Sequence, residues 1–300
     1  MIQAMKQNRP DFGVQYIRQN EWIEGRGILL WLSMFFIELG AGVFLVASIF
    51  GSLLGMLVGW LLCGVLGGGL HLLFLTHPFR SWRILFSSGW KRSWISRGLI
   101  FVLLFLSLGL IHIILYQLAS PAPGLLIVAN VFAFLTIIYA GFLMASFNSI
   151  PLWNTPMLPA LYVILGIWGG FGITLISLLA TGPTVAVDIV ERWLKIFLMA
   201  FIFVVFVYLF SMRFQGTTGK FSVRQIVAGK WAPLFWIVVV VLGMALPAGV
   251  ALSSWLVDLV IPGGFLYIVI TFELLGDLAL RYCIFKCGVY APFIPVNSPA

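Results

Sequence analysis

The sequence predicts an all-α integral membrane protein with eight transmembrane helices, arranged as two four-helix bundles. Composition is the first reason, because 62% of the 300 residues are hydrophobic and only 9% are charged, whereas soluble domains carry roughly 25% charged residues. The second reason is that the apolar segments are about 20 residues long and do not alternate, which favours helices over a β-barrel. The third is that eight spans, an even number, place both termini on the same side of the membrane, and this is the side with most basic residues, as the positive-inside rule requires.

The predicted organisation is a polar N-terminal interfacial segment (1–26), a membrane domain (27–284) and a C-terminal tail (285–300). The first segment is polar and mixed in charge, so we do not interpret it as a cleavable signal peptide. At ~1.5 Å per residue, each apolar segment can cross a ~30 Å hydrocarbon core. The predicted spans are 27–50, 52–76, 97–118, 124–147, 158–181, 189–211, 233–256 and 263–284.

Basic residues orient these spans. We call the side of the N-terminus side A and the opposite side B. Of the 17 Lys and Arg residues, only Arg192 and Lys195 fall on side B. The positive-inside rule therefore predicts that side A, with both termini, is cytoplasmic; an acidic partner docking on side A would explain the same charges. Nucleic-acid binding is disfavoured, because the basic residues lie in juxtamembrane connectors. The side-A residues are Lys6, Arg9, Arg18, Arg26, Arg80, Arg83, Lys91, Arg92, Arg97, Arg213, Lys220, Arg224, Lys230, Arg281 and Lys286.

The connector after the second span has two interpretations. Pro78 ends the second helix, and Ser96 is a candidate cap for the third. Arg80 and Arg83, with neighbouring Trp residues, are typical of lipid-headgroup anchoring. The alternative is that they form a polar wall at the mouth of a lipid-side pocket and a docking surface for a soluble partner.

The stretch 139–159 is the most informative local pattern. It begins as the last turns of an apolar helix and continues as a connector with two Asn residues and no charge. Trp153 is the kind of amphipathic ring expected at a membrane surface. Tyr139, one or two turns inside the membrane beside this uncharged loop, could hold a polar ligand that enters from lipid. The helix breaks are set by Pro151, Pro156 and Pro159.

Ionisable residues inside the predicted spans are costly and tend to be functional or paired. Glu38 lies ~18 Å into the first span, near the midplane. Glu273, Asp277 and Arg281 occur at i, i+4 and i+8, so they share one helix face. Two interpretations stay open. One is a structural Asp277–Arg281 ion pair with a protonated Glu273, and the other is a proton path from a ligand pocket to one surface.

Histidine and cysteine positions argue against a metal cofactor. The histidines are His71, His77 and His112, and the depths of the first and last differ by ~15 Å, too much for a bis-histidine haem. We interpret His112 as a hydrogen-bonded core histidine. No iron–sulfur ligand run is present, and the cysteines are expected to be small packing residues. They are Cys63, Cys283 and Cys287.

Four passages, in order from the first helix to the last, share a family pattern. They are Gly25-Arg-Gly-Ile-Leu-Leu-Trp with Glu38-Leu-Gly-Ala-Gly, His71 and His77-Pro-Phe-Arg80-Ser-Trp with Ser93-Trp-Ile-Ser-Arg97-Gly, Tyr139-Ala-Gly-Phe-Leu with Pro151-Leu-Trp-Asn-Thr-Pro-Met-Leu-Pro159, and Leu280-Arg-Tyr-Cys-Ile-Phe-Lys-Cys-Gly-Val-Tyr. These passages resemble the polysulfide reductase membrane-subunit family, also called NrfD-like, which includes the membrane anchors of several molybdopterin enzymes. The third passage is the most specific.

The resemblance implies a subunit that binds menaquinone or ubiquinone and carries no redox cofactor of its own, neither haem nor iron–sulfur cluster. It implies electron exchange with a ferredoxin-like iron–sulfur subunit, itself bound to a catalytic, molybdopterin-type subunit. The expected location is the cytoplasmic (inner) membrane of a prokaryote, with the lipid bilayer as the remaining partner.

The resemblance also suggests site residues. The family's quinone-contacting tyrosine corresponds to Tyr139, and the polar residues of its second connector correspond to Thr76, His77 and Arg80. One departure is that no acidic residue stands just before Pro78, where a family member is expected to have one. Thr76 or His77 would then have to supply the polar contact.

A quinone brings its own redox chemistry, so the protein need only bind the head group, hydrogen-bond its carbonyls and move protons. Arg80 or Arg97 would stabilise negative charge that develops on the ring. The predicted quinone-binding set is Tyr139, Thr76, His77, Arg80, Arg97 and His71. The predicted proton path is Glu38, Glu273, Asp277 and Arg281.

The leading hypothesis is therefore a quinone- or quinol-binding membrane anchor of a multisubunit respiratory oxidoreductase. Two alternatives remain. One is a transporter or proton- or ion-translocating subunit that uses Glu38, Glu273 and Asp277. The other is an anchor that only holds its partner at the membrane.

Overall fold

A computed structural model describes residues 17–84, 93–120, 122–182, 185–256 and 262–291. Within them, eight helices are long and apolar enough to cross a membrane, which confirms the predicted all-α membrane fold. Of the residues singled out above, Lys6, Arg9, Lys91 and Arg92 lie outside the described ranges. The spanning helices are α1 (Gly27–Ile49), α2 (Leu53–Phe74), α3 (Trp94–Gln117), α4 (Pro123–Ala145), α5 (Met157–Thr181), α6 (Val185–Met212), α8 (Leu234–Leu256) and α9 (Gly263–Lys286), and the shorter α7 is Gly216–Val227.

The spanning helices pack as two groups of four. In the first group α1 contacts α2 and α4, while α3 lies mainly against α4. In the second group α5 packs on α6 and α8 packs on α9, with further contacts between α6 and α8. The seam between the groups is formed mainly by α1 on α5, with α4 also against α5 and α9 against both α1 and α5. Helix α1 contacts members of both groups and is the most extensively buried of the described spanning helices, so it is the central helix.

Glycines allow α1 and α5 to approach at backbone distance. A side chain at Gly42 would overlap the carbonyl of Gly166, and one at Gly170 would come within 2.5 Å of the carbonyl oxygen of Gly42. Such close contact is the usual use of small residues between helices in a membrane, because it increases van der Waals contact where the lipid provides no hydrophobic drive.

Both described ends of the chain meet on side A. The backbone N–H of Gln19 donates to the carbonyl of Gly288 at 2.9 Å, and that of Tyr290 donates to Ile17, also at 2.9 Å. Lys286, in the last turn of α9, forms an ion pair with Glu24. These contacts place the segments before α1 and after α9 side by side, as an even number of spans requires.

Helix α7 lies in the connector after α6 and was not anticipated. Its inward face buries Thr218, Ser222, Val223 and Ile226, of which only two are strongly apolar. Hydropathy alone therefore does not distinguish this helix from a polar loop. Its basic residues face outwards, so α7 lies along the side-A surface.

Two local expectations were wrong. Helix α3 begins at Trp94, so Ser96 is not its cap but a buried residue of its first turn. Trp153 is fully buried, and its indole N–H donates to the carbonyl of Ile284 at 2.9 Å. That carbonyl lies in the last turn of α9, where helix carbonyls lack partners within the helix. The Trp153 indole therefore satisfies a carbonyl at the end of α9 instead of facing lipid.

Candidate functional site

Tyr139 lies near the side-A end of α4, six residues before its last residue, or ~9 Å along the helix axis. Its side chain is 6% exposed. The ring lies directly on Gly98 of α3, where a Cβ atom would overlap the ring carbons. Within the described part of the chain, the Tyr139 hydroxyl has no hydrogen-bond partner. A hydroxyl without a protein partner can donate a hydrogen bond to an incoming acceptor at little cost.

The surroundings of Tyr139 belong to the first bundle. Helix α4 packs on α3 and on α1, the helix that carries Glu38. Tyr139 lies ~9 Å from the side-A end of its helix and Glu38 ~17 Å from the side-A end of α1. The hydrogen-bond donor of Tyr139 is therefore nearer to side A than the buried carboxyl group of Glu38.

Arg97, one residue before Gly98, stands at the side-A end of this region. Its guanidinium carbon lies 4.9 Å from the centre of the Trp94 ring, a cation–π distance. Trp94 in turn stacks on Phe142 of α4, with ring centres 4.8 Å apart and planes inclined by 14°. The stack holds the start of α3 against the end of α4 and fixes the position of Arg97 beside Tyr139's helix.

His71 is half-buried in the last turns of α2. Its Nδ1 lies 3.1 Å from the Oγ of Ser33 on α1. Nearby, the guanidinium of Arg26 donates to the carbonyl of Leu73 at 2.7 Å. These two bonds tie the end of α2 to the start of α1.

Thr76, His77 and Arg80 are exposed in the connector that follows α2. Among the described residues, no hydrogen bond joins them to Tyr139. The family resemblance groups these three residues with Tyr139 and Arg97 in one site, and that grouping stays a prediction. Beside the connector is an apolar groove of about 620 Å³ on the lipid side of α2, lined in part by Leu66, Leu73 and Phe79.

The second feature is a buried charge cluster that joins the first helix to the last. The guanidinium of Arg281 binds Glu38 through Nη1–Oε2 at 2.5 Å and Nη2–Oε1 at 2.8 Å. It also binds Asp277 through Nε–Oδ1 at 2.6 Å. The ring of Tyr162 covers the guanidinium at 4.6 Å and that of Phe35 lies at 5.7 Å. All three charged side chains are at most 2% exposed.

This cluster contains two carboxyl groups and one guanidinium. With both carboxyls ionised it would carry one uncompensated negative charge, which is costly in a site that excludes water. One proton shared between Glu38 and Asp277 would make the cluster neutral. The cluster could then release this proton or take it up again. Among the described residues, Glu273 is one turn further from side A, is 4% exposed and has no ion-pair partner. Of the predicted proton path, the structure thus brings three residues together and leaves Glu273 apart.

Several residues near these features were not predicted. Gly98 supports the Tyr139 ring, Ser33 holds His71, and Tyr162 covers Arg281 while its hydroxyl donates to the Met144 sulfur at 3.0 Å. For Gly98 the sequence contains one local signal of a close helix contact, a glycine directly after an arginine in the first turns of a helix. The other contacts join distant parts of the chain and have no local signature.

The remaining histidine and the cysteines are in the core. His112 is 4% exposed, but the hydrogen bond predicted for it is not found at Nδ1, which has no partner in the part of the chain that is described. The thiols are buried and unpaired by disulfides. Within the same residues, no group of three or more His, Cys, Asp or Glu side chains is arranged to hold a metal ion.

Comparison with known proteins places this chain in a family. The model of the family described as "Polysulphide reductase, NrfD" matches residues 25–292. The C subunit of the polysulfide reductase of Wolinella succinogenes is 33% identical over 189 residues, which cover 58% of this chain and 56% of the relative. Protein NrfD of Escherichia coli is 31% identical over 162 residues, covering 49% of this chain and 48% of the relative.

A further relative, the NrfD homolog of Haemophilus influenzae, is 24% identical over 156 residues, with coverage of 50% of this chain and 48% of the relative. The chain thus spans about half the length of the curated relatives it matches. The family model, by contrast, extends from the residues before α1 to the segment after α9. The chain therefore belongs to the NrfD (polysulphide reductase) family of membrane proteins.

Proposed function

We propose that this chain is the quinone-reactive membrane anchor of a multisubunit respiratory oxidoreductase. It would exchange electrons between the quinone pool, menaquinone or ubiquinone, and an iron–sulfur partner subunit. The observation that carries the proposal is the Tyr139 side chain, which is buried near side A and whose hydroxyl has no hydrogen-bond partner among the described residues. When bound, a quinone supplies the redox chemistry itself.

The residues around Tyr139 fit a ring with carbonyl acceptors. The hydroxyl donates one hydrogen bond, and Gly98 leaves the space that keeps the phenol ring against α3. Arg97, at the side-A end of the same helix, adds positive charge that stabilises negative charge developing on a bound ring. Thr76, His77 and Arg80 would contribute from the connector, beside the apolar groove along α2, whose lining suits an isoprenoid tail.

Proton transfer is the second part of the proposal. Glu38 belongs to α1, which packs against the helix of Tyr139, and is bound to Arg281. A proton that leaves or enters the region of Tyr139 can therefore be held by the Glu38–Arg281–Asp277 cluster. Glu273, one turn away on the same helix face, is the next acceptor toward side B.

Side A would dock the partner subunits. The basic residues concentrated there complement an acidic surface, and one relative is named as the C subunit of a polysulfide reductase, a name that implies further subunits. We propose a ferredoxin-like iron–sulfur subunit at this face, joined to a catalytic subunit of molybdopterin type. The positive-inside rule puts side A and both termini in the cytoplasm of a prokaryote, with the protein in the inner membrane.

Replacement of Tyr139 by Phe tests the proposal in the purified complex. Tyr139→Phe removes the donor and keeps the ring on Gly98, so quinol-linked electron transfer should fall about tenfold while subunit assembly persists. Tyr116→Phe is the matched control, because its phenol is 41% exposed at the side-B end of α3. Unchanged turnover in Tyr139→Phe would remove this residue from the site. A complex with neither bound nor exchangeable quinone would support the purely structural anchor instead.

A further inference from the structure

A groove on side A lies where α6 ends and α7 begins, on the second bundle and away from Tyr139. It has a volume of about 500 Å³ and is lined by Phe210, Arg213, Phe214, Gly216 and Lys220. Gly216 has φ of 72°, a left-handed conformation that favours glycine. This turn reverses the chain, so that Lys220, one turn into α7, borders the same groove as the end of α6.

The two cations of the groove are uncompensated. Arg213 and Lys220 are both exposed, and neither has an ion pair or side-chain hydrogen bond with any other described residue. The two described acids of the segment before α1 are Glu21 and Glu24, and neither forms an ion pair with Arg213 or Lys220, since Glu24 pairs with Lys286. Two neighbouring positive charges at the edge of a membrane attract an anion, and this attraction is strongest for one held at the surface.

An aromatic row leads from the groove down the lipid-facing side of α6. Phe206 and Phe210 are stacked with ring centres 5.9 Å apart, and Phe210 and Phe214 meet edge to face at 5.3 Å. Phe203, Phe206 and Phe214 are 66%, 65% and 75% exposed. Since α6 ends at Met212, Phe206 lies ~9 Å inside the helix end, at the depth of acyl chains.

We propose that this groove binds one acidic phospholipid, with its phosphate between Arg213 and Lys220 and an acyl chain along Phe206 and Phe210. The two cations alone, or the aromatic row alone, would not indicate a lipid. Together they match an amphiphile, because the charge lies at the membrane surface and the apolar area lies below it. An acidic protein loop would use the cations and leave the aromatic row uncovered. This inference does not depend on quinone binding.

Native mass spectrometry of the purified complex, titrated with phosphatidylglycerol and separately with phosphatidylcholine, tests the proposal. The variant is Arg213→Gln/Lys220→Gln. The matched control, Arg224→Gln/Lys230→Gln, removes the same charge from the same connector without touching the groove. Each basic residue near an anionic surface contributes roughly a factor of five, so the groove variant should bind phosphatidylglycerol about 25-fold more weakly. Phosphatidylcholine binding should not change, and the control should retain wild-type affinity.

A second variant, Phe206→Ala, separates lipid from a free anion. The Phe206 side chain is largely exposed, so the substitution should leave folding unaffected. Phosphatidylglycerol should bind this variant more weakly than the wild type. Inorganic phosphate should bind neither the wild type nor the variant. Equal losses in the groove and control variants would overturn the proposal, since they would report only general surface charge. It would also fail if the groove variant lost a soluble partner subunit but kept its affinity for phosphatidylglycerol.

Discussion

Arg281 and Glu38 lie 243 positions apart and form a two-bond ion pair, at 2.5 and 2.8 Å, inside the membrane domain. The pair crosses the seam between the bundles, because Glu38 belongs to α1 and Arg281 to α9. Asp277 holds the other edge of the same guanidinium. The seam thus combines close backbone contact through glycines with a buried charge cluster.

Arg281→Met should destabilise the protein strongly. Methionine fills much of the same space but leaves Glu38 and Asp277 buried without a counter-charge, and breaking such a pair costs about 3–5 kcal/mol. The measurement is the thermal unfolding midpoint in detergent. Lys286→Met breaks the more exposed pair with Glu24 and should cost less than about 1 kcal/mol.

A combined variant distinguishes loss of the charge from loss of packing. Adding Glu38→Gln and Asp277→Asn to Arg281→Met removes the uncompensated carboxyls, so much of the stability should return. If the triple variant is no more stable than Arg281→Met, the guanidinium acts through its packing on Tyr162 and Phe35 and not through its charge.

Gly42→Ala should weaken the seam between the bundles. Its methyl group would overlap the Gly166 carbonyl, and overpacking of this kind costs about 1–3 kcal/mol. Gly69→Ala is the control, because a Cβ atom there meets nothing within 4 Å and alanine is the better helix former. Thermal unfolding should therefore shift down for Gly42→Ala and stay level or rise for Gly69→Ala; the same shift in both would contradict the close contact.

Trp153→Phe should loosen the connector between α4 and α5. The change removes the indole N–H and leaves the Ile284 carbonyl without its donor, at a cost of about 1–3 kcal/mol. Limited proteolysis of the connector, together with the unfolding midpoint, measures this loss. Trp255→Phe, at a ring that is 46% exposed, should change neither. An unaltered midpoint for Trp153→Phe would show that the hydrogen bond contributes nothing.

Glu273→Gln separates the proton path from a structural role. Because Glu273 has no ion-pair partner among the described residues, the amide should leave the unfolding midpoint nearly unchanged. If this residue accepts protons, quinol-linked proton uptake by the reconstituted complex should slow about tenfold or more. Normal uptake with normal stability would remove Glu273 from the path.

Local patterns predicted the fold well and the long-range contacts poorly. Span number follows from runs of apolar residues, and the Asp277–Arg281 ion pair follows from their spacing of four on one helix. The bond from Arg281 to Glu38 could not be predicted, since nothing in a single sequence relates positions in the first and last helices. Trp153 illustrates the same limit. A tryptophan at a span end usually faces lipid, but here the connector turns inward beneath Trp22 and Phe285, with ring centres 5.5 and 5.6 Å away.

The candidate site shows a corresponding division. Tyr139 and Arg97 share a location because Gly98 brings α3 against α4, a contact that no spacing reveals. Thr76, His77 and Arg80, which the family resemblance groups with Tyr139, lie in the exposed connector after α2, and their place in a common site stays a prediction. The sequence therefore names residue types for the site, whereas the contacts that hold Tyr139 in place are set by the fold.

The affinity of the purified complex for a short-chain quinone, measured by quenching of tryptophan fluorescence, tests the central claim most directly. One lost hydrogen bond is worth about 0.5–1.5 kcal/mol, so Tyr139→Phe should bind the quinone roughly fivefold more weakly than the wild type. Tyr116→Phe should bind it as the wild type does. A Tyr139→Phe complex with wild-type quinone affinity would contradict the account.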